Sequence, residues 1–250
     1  MVLTGVTSKA IRKGDPEPPL DPGKFRIYNM RFCPWAERAM LYVAAKGIDA
    51  EIINVNVTDK PEWFSTKHHQ GKAPAIEHDG KCVIESGYIP EYLDDAFPES
   101  RILPSDPYEK VQQKLLAERL TMVAFAVPQL FAVMRNKELK NEKGEKVLEV
   151  LKQAEDLLEM DFYAGPTPGY PDFLSFPFFE KIWWSASLDG IVDLPTEGFP
   201  GVEKFPKLTA WFEKMLNSDV VQSVTQPMEY GASFMNAYAT HGELNYDLGL

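Results

Sequence analysis

Strand-like segments are confined to the first part of this chain, and the residues that follow them have the pattern of helices. Before residue 97 the predicted order is strand, helix, strand, helix, strand, strand, helix, and Asp79-Gly80 marks a hairpin between the last two strands. Beyond residue 105, strand signals are scarce and amphipathic helical segments follow one another. This change of pattern predicts an α/β domain followed by an all-helical domain.

Proline-rich segments mark the boundaries of these domains. Residues 1–24 are polar and rich in proline and glycine, which predicts an extended N-terminal arm. The α/β domain is assigned to residues 25–97, a linker with several prolines to 98–107, and the helical domain to 108–250. A chain of 250 residues is long enough to build two such cores.

Composition argues against nucleic acid as a partner, against a disulfide framework and against a membrane span. The net charge of −11 disfavours nucleic acid, because phosphate binding needs a basic surface. Two cysteines fit a reducing compartment better than a disulfide framework. The sequence shows neither the apolar core of a signal peptide nor a run approaching ~18 consecutive apolar residues, so we predict no membrane span and a cytoplasmic location.

Cys33 is the residue best placed for chemistry, because it lies between a strand-like run and a helix that starts at Pro34. A helix N-terminus favours the thiolate, which is the nucleophilic form of cysteine. The dipole contributes about 0.3–1 kcal/mol, whereas lowering a pKa by two units takes ~2.7 kcal/mol, so a further hydrogen bond from Trp35 or Ala36 is needed. The alternative is a buried structural cysteine, which is the interpretation favoured for Cys82.

The second thiol of a Cys-x-x-Cys redox pair is missing, because Ala36 occupies its position. The other cysteine, Cys82, is far away in sequence. A reactive Cys33 therefore needs a second thiol from solution, which points to glutathione as a cosubstrate rather than to a bound cofactor.

Three other segments become relevant if the fold brings them near Cys33. Spacing alone favours an ordinary trans proline at a strand start for Ala73-Pro74, and the alternative is a cis bond that turns the backbone toward a ligand. Glu85 and Ser86 precede a helix, with Ser86 predicted as its N-cap, and could also hold an ammonium and a carboxylate group. Lys60 is either a surface lysine or a carboxylate-binding residue.

Metal and nucleotide motifs are not found in the sequence. The pair His68-His69 lacks the spacing of metal ligands and is interpreted as a helix end, so no metal site is predicted. Neither the dinucleotide nor the phosphate-binding glycine motif occurs.

Five short blocks of sequence, taken in order, carry a resemblance to a known family. They are Ile27-Tyr28-Asn29-Met30-Arg31-Phe32-Cys33-Pro34, Lys60-Pro61-Glu62-Trp63-Phe64, Ala73-Pro74, Glu85-Ser86 and Leu103-Pro104-Ser105-Asp106-Pro107-Tyr108-Glu109-Lys110. With these blocks the chain resembles the omega-class glutathione transferases, which use a cysteine where most relatives use Tyr or Ser. The likeness covers the first domain and the linker and continues more weakly to the C-terminus.

The resemblance implies a thioredoxin-like βαβαββα domain, an all-helical domain that carries the acceptor-substrate site, and a homodimer. It also implies a glutathione site in which Cys33 forms a mixed disulfide with the tripeptide. The implied contacts are Lys60 to the glycyl carboxylate, Ala73 (before Pro74) to the cysteinyl backbone, and Glu85 and Ser86 to the γ-glutamyl end.

Three further remarks compare this chain with the family pattern. Ala73 stands where the family commonly has Val, and Gly169 stands where a Ser or Thr usually forms a capping box with Asp172, which predicts a weaker helix start. The family's aromatic acceptor-site residue corresponds best to Tyr230.

The activities that the resemblance implies are glutathione-dependent thiol transfer from glutathionylated substrates, dehydroascorbate reduction and reduction of methylated arsenicals. Conjugation of glutathione to electrophiles is one alternative. A membrane-interacting protein like the intracellular chloride channel proteins, which share this fold, is another.

Overall fold

The computed structural model of the protein describes residues 3–250 and separates into two compact units. The first unit comprises the residues up to Ile102 together with Tyr246–Leu250, and the second comprises Leu103–Asn245. The first contains the sheet and the second is helical, so the predicted fold class, a thioredoxin-like domain followed by a helical domain, is confirmed.

A five-stranded mixed sheet forms the centre of the first unit within residues 3–250. Its order is β1-β3-β2-β4-β5, and both β1 and β2 run parallel to β3, whereas β4 is antiparallel to β2 and β5. The strands are β1 (Leu3–Thr4), β2 (Phe25–Asn29), β3 (Ala50–Asn54), β4 (Ala75–His78) and β5 (Lys81–Ile84). Every residue of β2 is buried, as expected for a central strand covered on both faces.

Two α-helices and two 3-10 helices, the second a short one at Pro98–Ser100, complete the described part of the first unit. Helix α1 (Pro34–Lys46) follows β2 and ends at Gly47, whose φ of 69° closes the helix in the left-handed region. The 3-10 helix Glu62–Thr66 follows β3, and α2 (Ile89–Ala96) follows β5.

Two elements of this unit differ from the sequence prediction. The N-terminal arm contributes an edge strand, β1, whose pairing with β3 is too remote in sequence for a local pattern to reveal. The short helix that the sequence pattern predicts between the second and third strands of its order is a 3-10 helix, Glu62–Thr66, rather than an α-helix. The hydroxyls of Ser65 and Thr66 there bond to carbonyls three residues earlier, which competes with α-helical bonding.

The second unit is built from helices, as predicted, and its described residues contribute no strand to the sheet. The helices are α3 (Pro107–Leu120), α4 (Ala126–Arg135), α5 (Lys140–Leu157), α6 (Tyr170–Ala186), α7 (Pro206–Leu216), α8 (Asp219–Gln222) and α9 (Met228–Ala239). A 3-10 segment, Thr121–Phe125, separates α3 from α4. It lies just before Pro128, which cannot donate a backbone hydrogen bond to the preceding turn.

Asp172 organises the core of the second unit at the start of α6. Its carboxylate accepts hydrogen bonds from the backbone N–H groups of Tyr163, Ala164 and Gly169 and from the indole N–H of Trp211, at 2.8–3.0 Å. A Cβ at Gly169 would lie 2.6 Å from the Cβ of Ala164, which explains why glycine stands there. Asp172 therefore secures the helix start that the sequence predicted to be weak.

The C-terminal segment Tyr246–Leu250 does not belong to the helical domain, contrary to the predicted range 108–250. It clusters with the first unit because the guanidinium of Arg31 bonds its carbonyls and Asp247 bonds the N-terminal arm. The predicted linker, 98–107, contains the division between the units at Ile102.

Of the described residues, one helical run, Pro107–Arg135, is long and apolar enough to span a membrane by length and composition. Its most apolar window has a mean hydropathy of 1.4, and 39% of that window is buried. A core helix of a folded domain meets the same criterion, and polar residues such as Gln129 interrupt the run.

Candidate functional site

Cys33 is partly buried and is the N-cap residue of α1. Its backbone is extended (φ −87°, ψ 118°), Pro34 begins the helix, and the thiol forms no side-chain capping bond. Its N–H donates to the Met30 carbonyl at 3.0 Å, and its own carbonyl accepts from Glu37 N–H at 3.0 Å. The fold thus places the sulfur at the positive end of a helix, where a thiolate is favoured.

A buried cation lies close to the start of α1. The guanidinium of Arg38 is largely buried and lies 4.6 Å from the centre of the Trp35 ring. Trp35 and Arg38 are the second and fifth residues of α1, so this cation–π contact fixes a positive charge near the N-terminal end of the helix.

Ala73-Pro74 is a cis peptide bond, so the trans bond that spacing alone favours is wrong. Ala73 is partly exposed and directly precedes the buried Pro74 at the start of β4. Within residues 3–250, neither the N–H nor the C=O of Ala73 has a hydrogen-bond partner. This backbone is therefore available to an extended, peptide-like ligand.

Glu85 and Ser86 form a turn between β5 and α2. Glu85 is left-handed (φ 72°), an uncommon conformation for a residue other than glycine, and its carbonyl accepts from Tyr88 N–H and Ile89 N–H at 2.9 and 3.1 Å. The prediction that Ser86 caps the helix is wrong, because this turn delays the start and makes Tyr88 the N-cap. Ser86 is buried, and its hydroxyl makes no hydrogen bond to any residue in the described range.

Lys60 is exposed, but local contacts fix its ammonium group. It donates to the carbonyls of Val57 and Gly71 at 3.3 and 3.2 Å. Gly71 has a φ of 61°, and a Cβ there would lie 2.9 Å from the Lys60 Nζ. Glycine at this position therefore lets the lysine pack against the loop that leads to Ala73.

His68 takes part in the same loop, a role that the sequence interpretation as a helix end missed. The ring is buried, its Nδ1 accepts from Gln70 N–H at 3.2 Å, and its carbonyl accepts from Gly71 N–H at 2.7 Å. Burial lowers the pKa of His68, while the Glu85 carboxylate acts in the opposite direction. No sequence signal distinguishes this histidine from an ordinary surface residue, because its contacts come from tertiary placement.

Cys82 lies in a different environment from Cys33. It is exposed on the edge strand β5, opposite Glu77. Reduced hydration of the thiol raises the pKa of Cys82, and the Glu77 carboxylate raises it further. The sequence interpretation of Cys82 as a buried cysteine is wrong, because an edge strand leaves one face of its residues open to solvent. The two effects on its pKa nevertheless oppose thiolate formation.

The remaining predicted site residue, Tyr230, lies in the first turn of α9 in the helical unit and is partly buried. Its assignment to an acceptor site stays a prediction. Within residues 3–250 no group of three or more His, Cys, Asp or Glu side chains could hold a metal ion.

Comparison with known proteins places these features in a family. Residues 23–95 match the model of the glutathione S-transferase N-terminal domain, and residues 117–219 match that of the C-terminal domain. The chain is 80% identical to glutathione transferase omega-1 of Caenorhabditis elegans over the full length of both proteins. It is 32% identical to mouse glutathione S-transferase omega-1, with 99% of this chain and 100% of that protein covered.

Solved structures show the same fold. A Tau-class glutathione S-transferase from mango superposes with a TM-score of 0.74 at 22% identity, covering 86% of this chain and 98% of the other. Glutathione transferase Omega 1C from Trametes versicolor gives 0.70 at 21% identity, covering 87% and 97%. The chain belongs to the glutathione transferase family, and its full-length relatives place it in the omega class.

Proposed function

We propose that this enzyme is a glutathione-dependent thiol transferase and dehydroascorbate reductase that works through a mixed disulfide between Cys33 and glutathione. The observation that carries the proposal is the Cys33 thiol at the N-terminus of α1 in a turn that holds no second cysteine. Its omega-class relatives are named glutathione transferases, which supports glutathione as the external thiol.

The loops of the first unit offer groups that match the three parts of glutathione. The backbone N–H and C=O of Ala73 pair with the cysteinyl residue, in the manner of an added strand. Ser86 and Glu85 bind the γ-glutamyl end, whose carboxylate and ammonium need a donor and an anion respectively. Lys60 binds the glycyl carboxylate in place of one of its present carbonyl acceptors.

The chemistry consists of two thiol–disulfide exchanges. The Cys33 thiolate attacks the glutathionyl sulfur of a glutathionylated substrate, releases the substrate thiolate and keeps glutathione as a mixed disulfide. A second glutathione thiolate attacks the glutathionyl sulfur, which releases oxidised glutathione and restores the Cys33 thiolate.

With dehydroascorbate the Cys33 thiolate adds to a carbonyl carbon. Glutathione then attacks the Cys33 sulfur, and the two electrons of the breaking C–S bond reduce the substrate to ascorbate. The resulting mixed disulfide is resolved by a second glutathione as before. We include methylated arsenicals as a further substrate class, because a thiolate can reduce them by equivalent steps.

The decisive comparison is between Cys33→Ala and Cys82→Ala, two variants that each lose one thiol. Turnover of a glutathione mixed disulfide and of dehydroascorbate would be followed by the formation of oxidised glutathione. We expect background rates for Cys33→Ala and normal rates for Cys82→Ala, since of these two cysteines only Cys33 is the N-cap residue of a helix. Normal turnover by Cys33→Ala would refute the proposal.

Two further properties are also proposed, with homodimerisation resting on the resemblance and a cytoplasmic location on composition. The exposed side chain of Tyr88, 70% accessible beside the start of α2, is compatible with a partner surface. Light scattering that gives the mass of a single chain would contradict the dimer. Fractionation that places the protein outside the cytosol would contradict the location.

A further inference from the structure

The last residues of the chain bind the residue that stands two positions before Cys33. The Nη1 of Arg31 donates to the carbonyl of Leu248 at 3.0 Å and to that of Tyr246 at 3.3 Å. Arg31 is buried, with 8% of its surface exposed. A buried arginine therefore links the C-terminal segment to the loop that carries the thiol.

Arg31 is one of the two central residues of the turn that delivers Cys33 to the helix. The bond from Cys33 N–H to the Met30 carbonyl closes this turn at 3.0 Å. The other central residue, Phe32, lies under the Arg31 guanidinium at 5.2 Å, and its N–H approaches the Met30 sulfur at 3.2 Å. Because the turn contains no other residue, holding Arg31 also restrains the backbone on which Cys33 sits.

The C-terminal segment is fastened in turn to the N-terminal arm. One carboxylate oxygen of Asp247 accepts from Ala10 N–H at 2.7 Å, and the other accepts from the Arg12 guanidinium at 3.1 Å. The Asp247 carbonyl also accepts from Leu250 N–H at 3.0 Å. The N-terminal arm and the C-terminal segment thus meet at Asp247, which lies between the two residues whose carbonyls accept from Arg31.

We propose that Arg31 is a positioning residue for the Cys33 thiol and that the segment Tyr246–Leu250 is the element that holds it in place. This inference rests on the proposed role of Cys33. Reaction rates depend steeply on the placement of the reacting atom, so a loosened turn lowers the reactivity of the sulfur without touching glutathione.

The test measures the sulfur directly and uses a matched control. In a Cys82→Ala background, the rate of Cys33 alkylation by iodoacetamide is measured across pH by mass spectrometry, beside kcat and KM. Arg26→Gln is the control. Arg26 is also buried in the same unit, but its guanidinium bonds Glu51 and the carbonyls of Pro18 and Pro19.

Arg31→Gln should slow both alkylation at neutral pH and kcat, by on the order of tenfold. Arg31→Lys should recover part of the loss, because an ammonium can still donate to one carbonyl. Arg26→Gln should lower the stability while leaving the alkylation profile of the folded protein unchanged. An unchanged profile in Arg31→Gln, or an equal loss in Arg26→Gln, would overturn the inference.

Removal of Tyr246–Leu250 tests the second half of the proposal. The truncated enzyme should lose Cys33 reactivity as Arg31→Gln does, and combining the two changes should add little, because both break the same link. Independent, additive losses would contradict the shared link. If the truncated chain does not fold, Asp247→Asn replaces it, because this change removes the ion pair with Arg12. The variant should show a smaller loss of Cys33 reactivity than Arg31→Gln. A normal Cys33 alkylation profile in this variant would overturn the role of the C-terminal segment. Normal turnover in Cys33→Ala would show that the proposed function is wrong, an outcome distinct from an unchanged alkylation profile in Arg31→Gln, which contradicts only the role of Arg31.

Discussion

The starts of α1 and α6 use similar sequence signals for different purposes. Each has a proline at one of its first two positions and an N-cap residue without a side-chain capping bond, Cys33 in α1 and Gly169 in α6. At α6 the buried Asp172 accepts four hydrogen bonds and connects the helix to its surroundings. At α1 the N-cap is a partly buried thiol. A helix start completed by its own carboxylate stabilises the fold, whereas one that presents a thiol is suited to chemistry.

The same contrast extends to the polar groups around the two helix starts. Asp172 is fully buried and each of its carboxylate oxygens has two donors. In the first unit, the backbone of Ala73 and the hydroxyl of Ser86 lack hydrogen-bond partners among residues 3–250. Unused hydrogen-bonding capacity of this kind costs stability and is useful where a ligand supplies the partners. Substitution of Asp172 should therefore affect folding, whereas substitution of Ser86 should affect glutathione binding.

The largest effect on stability is expected for Asp172→Ala. The change leaves three backbone N–H groups and the Trp211 indole without an acceptor, and we expect a loss of about 3–5 kcal/mol in the free energy of unfolding. Chemical denaturation followed by tryptophan fluorescence would measure it. A loss below about 1 kcal/mol would contradict the contrast between the two helix starts, because the start of α6 would then not depend on the Asp172 carboxylate.

A medium effect is expected for Gly71→Ala, which combines a left-handed backbone with a contact to Lys60. Gly80→Ala is the matched control, since Gly80 has a φ of 71° but nothing within 4 Å of the added Cβ. Both variants should lose about 1–2 kcal/mol from the backbone strain. Only Gly71→Ala should also raise the KM for glutathione, because the displaced ammonium belongs to the proposed site. Equal KM values in the two variants would argue against a role for Lys60.

Ser86→Ala should show the reverse of Asp172→Ala. Its hydroxyl has no protein partner to lose in the described structure, so the stability should stay within about 0.5 kcal/mol of the parent. The KM for glutathione should rise roughly twofold to tenfold, the worth of one hydrogen bond. Steady-state kinetics with varied glutathione would test this. An unchanged KM with reduced stability would assign Ser86 to the fold instead.

The smallest effect concerns the pH dependence of stability at His68. Because burial lowers the pKa of His68, the unfolded chain binds this proton more readily, and stability should fall as the pH decreases below about 6.5. In His68→Asn the amide oxygen can accept from Gln70 N–H without titrating. The difference in stability between parent and variant should therefore change with pH only in the acidic range. A constant difference from pH 5 to 8 would contradict this account.

Local sequence pattern predicted most of the elements, because strand and helix periodicity reflects neighbouring residues. The strand, helix, strand, helix, strand, strand, helix order predicted before residue 97 matches the elements from β2 to α2. Prediction failed where long-range contacts decide the structure. The edge strand β1 and the return of Tyr246–Leu250 to the first unit both depend on partners far away in sequence.

The candidate site was only partly accessible to the same reasoning. The position of Cys33 followed from a strand, a proline and a helix in succession. The turn at Glu85 did not, because nothing in a Glu-Ser pair signals a left-handed glutamate, and Ser86 was assigned to the wrong role in the helix as a result. The contact of Lys60 with Gly71 and the buried ring of His68 required the folded loop.

The most direct test of the account compares the two thiols within one molecule. The intact protein would be mixed with oxidised glutathione, and the product located by mass spectrometry before and after adding reduced glutathione. We predict one glutathionyl group, attached to Cys33 and removed by reduced glutathione, with Cys82 unmodified. Modification of Cys82 alone, or no modification at all, would contradict the claim that the helix start of α1 activates its cysteine.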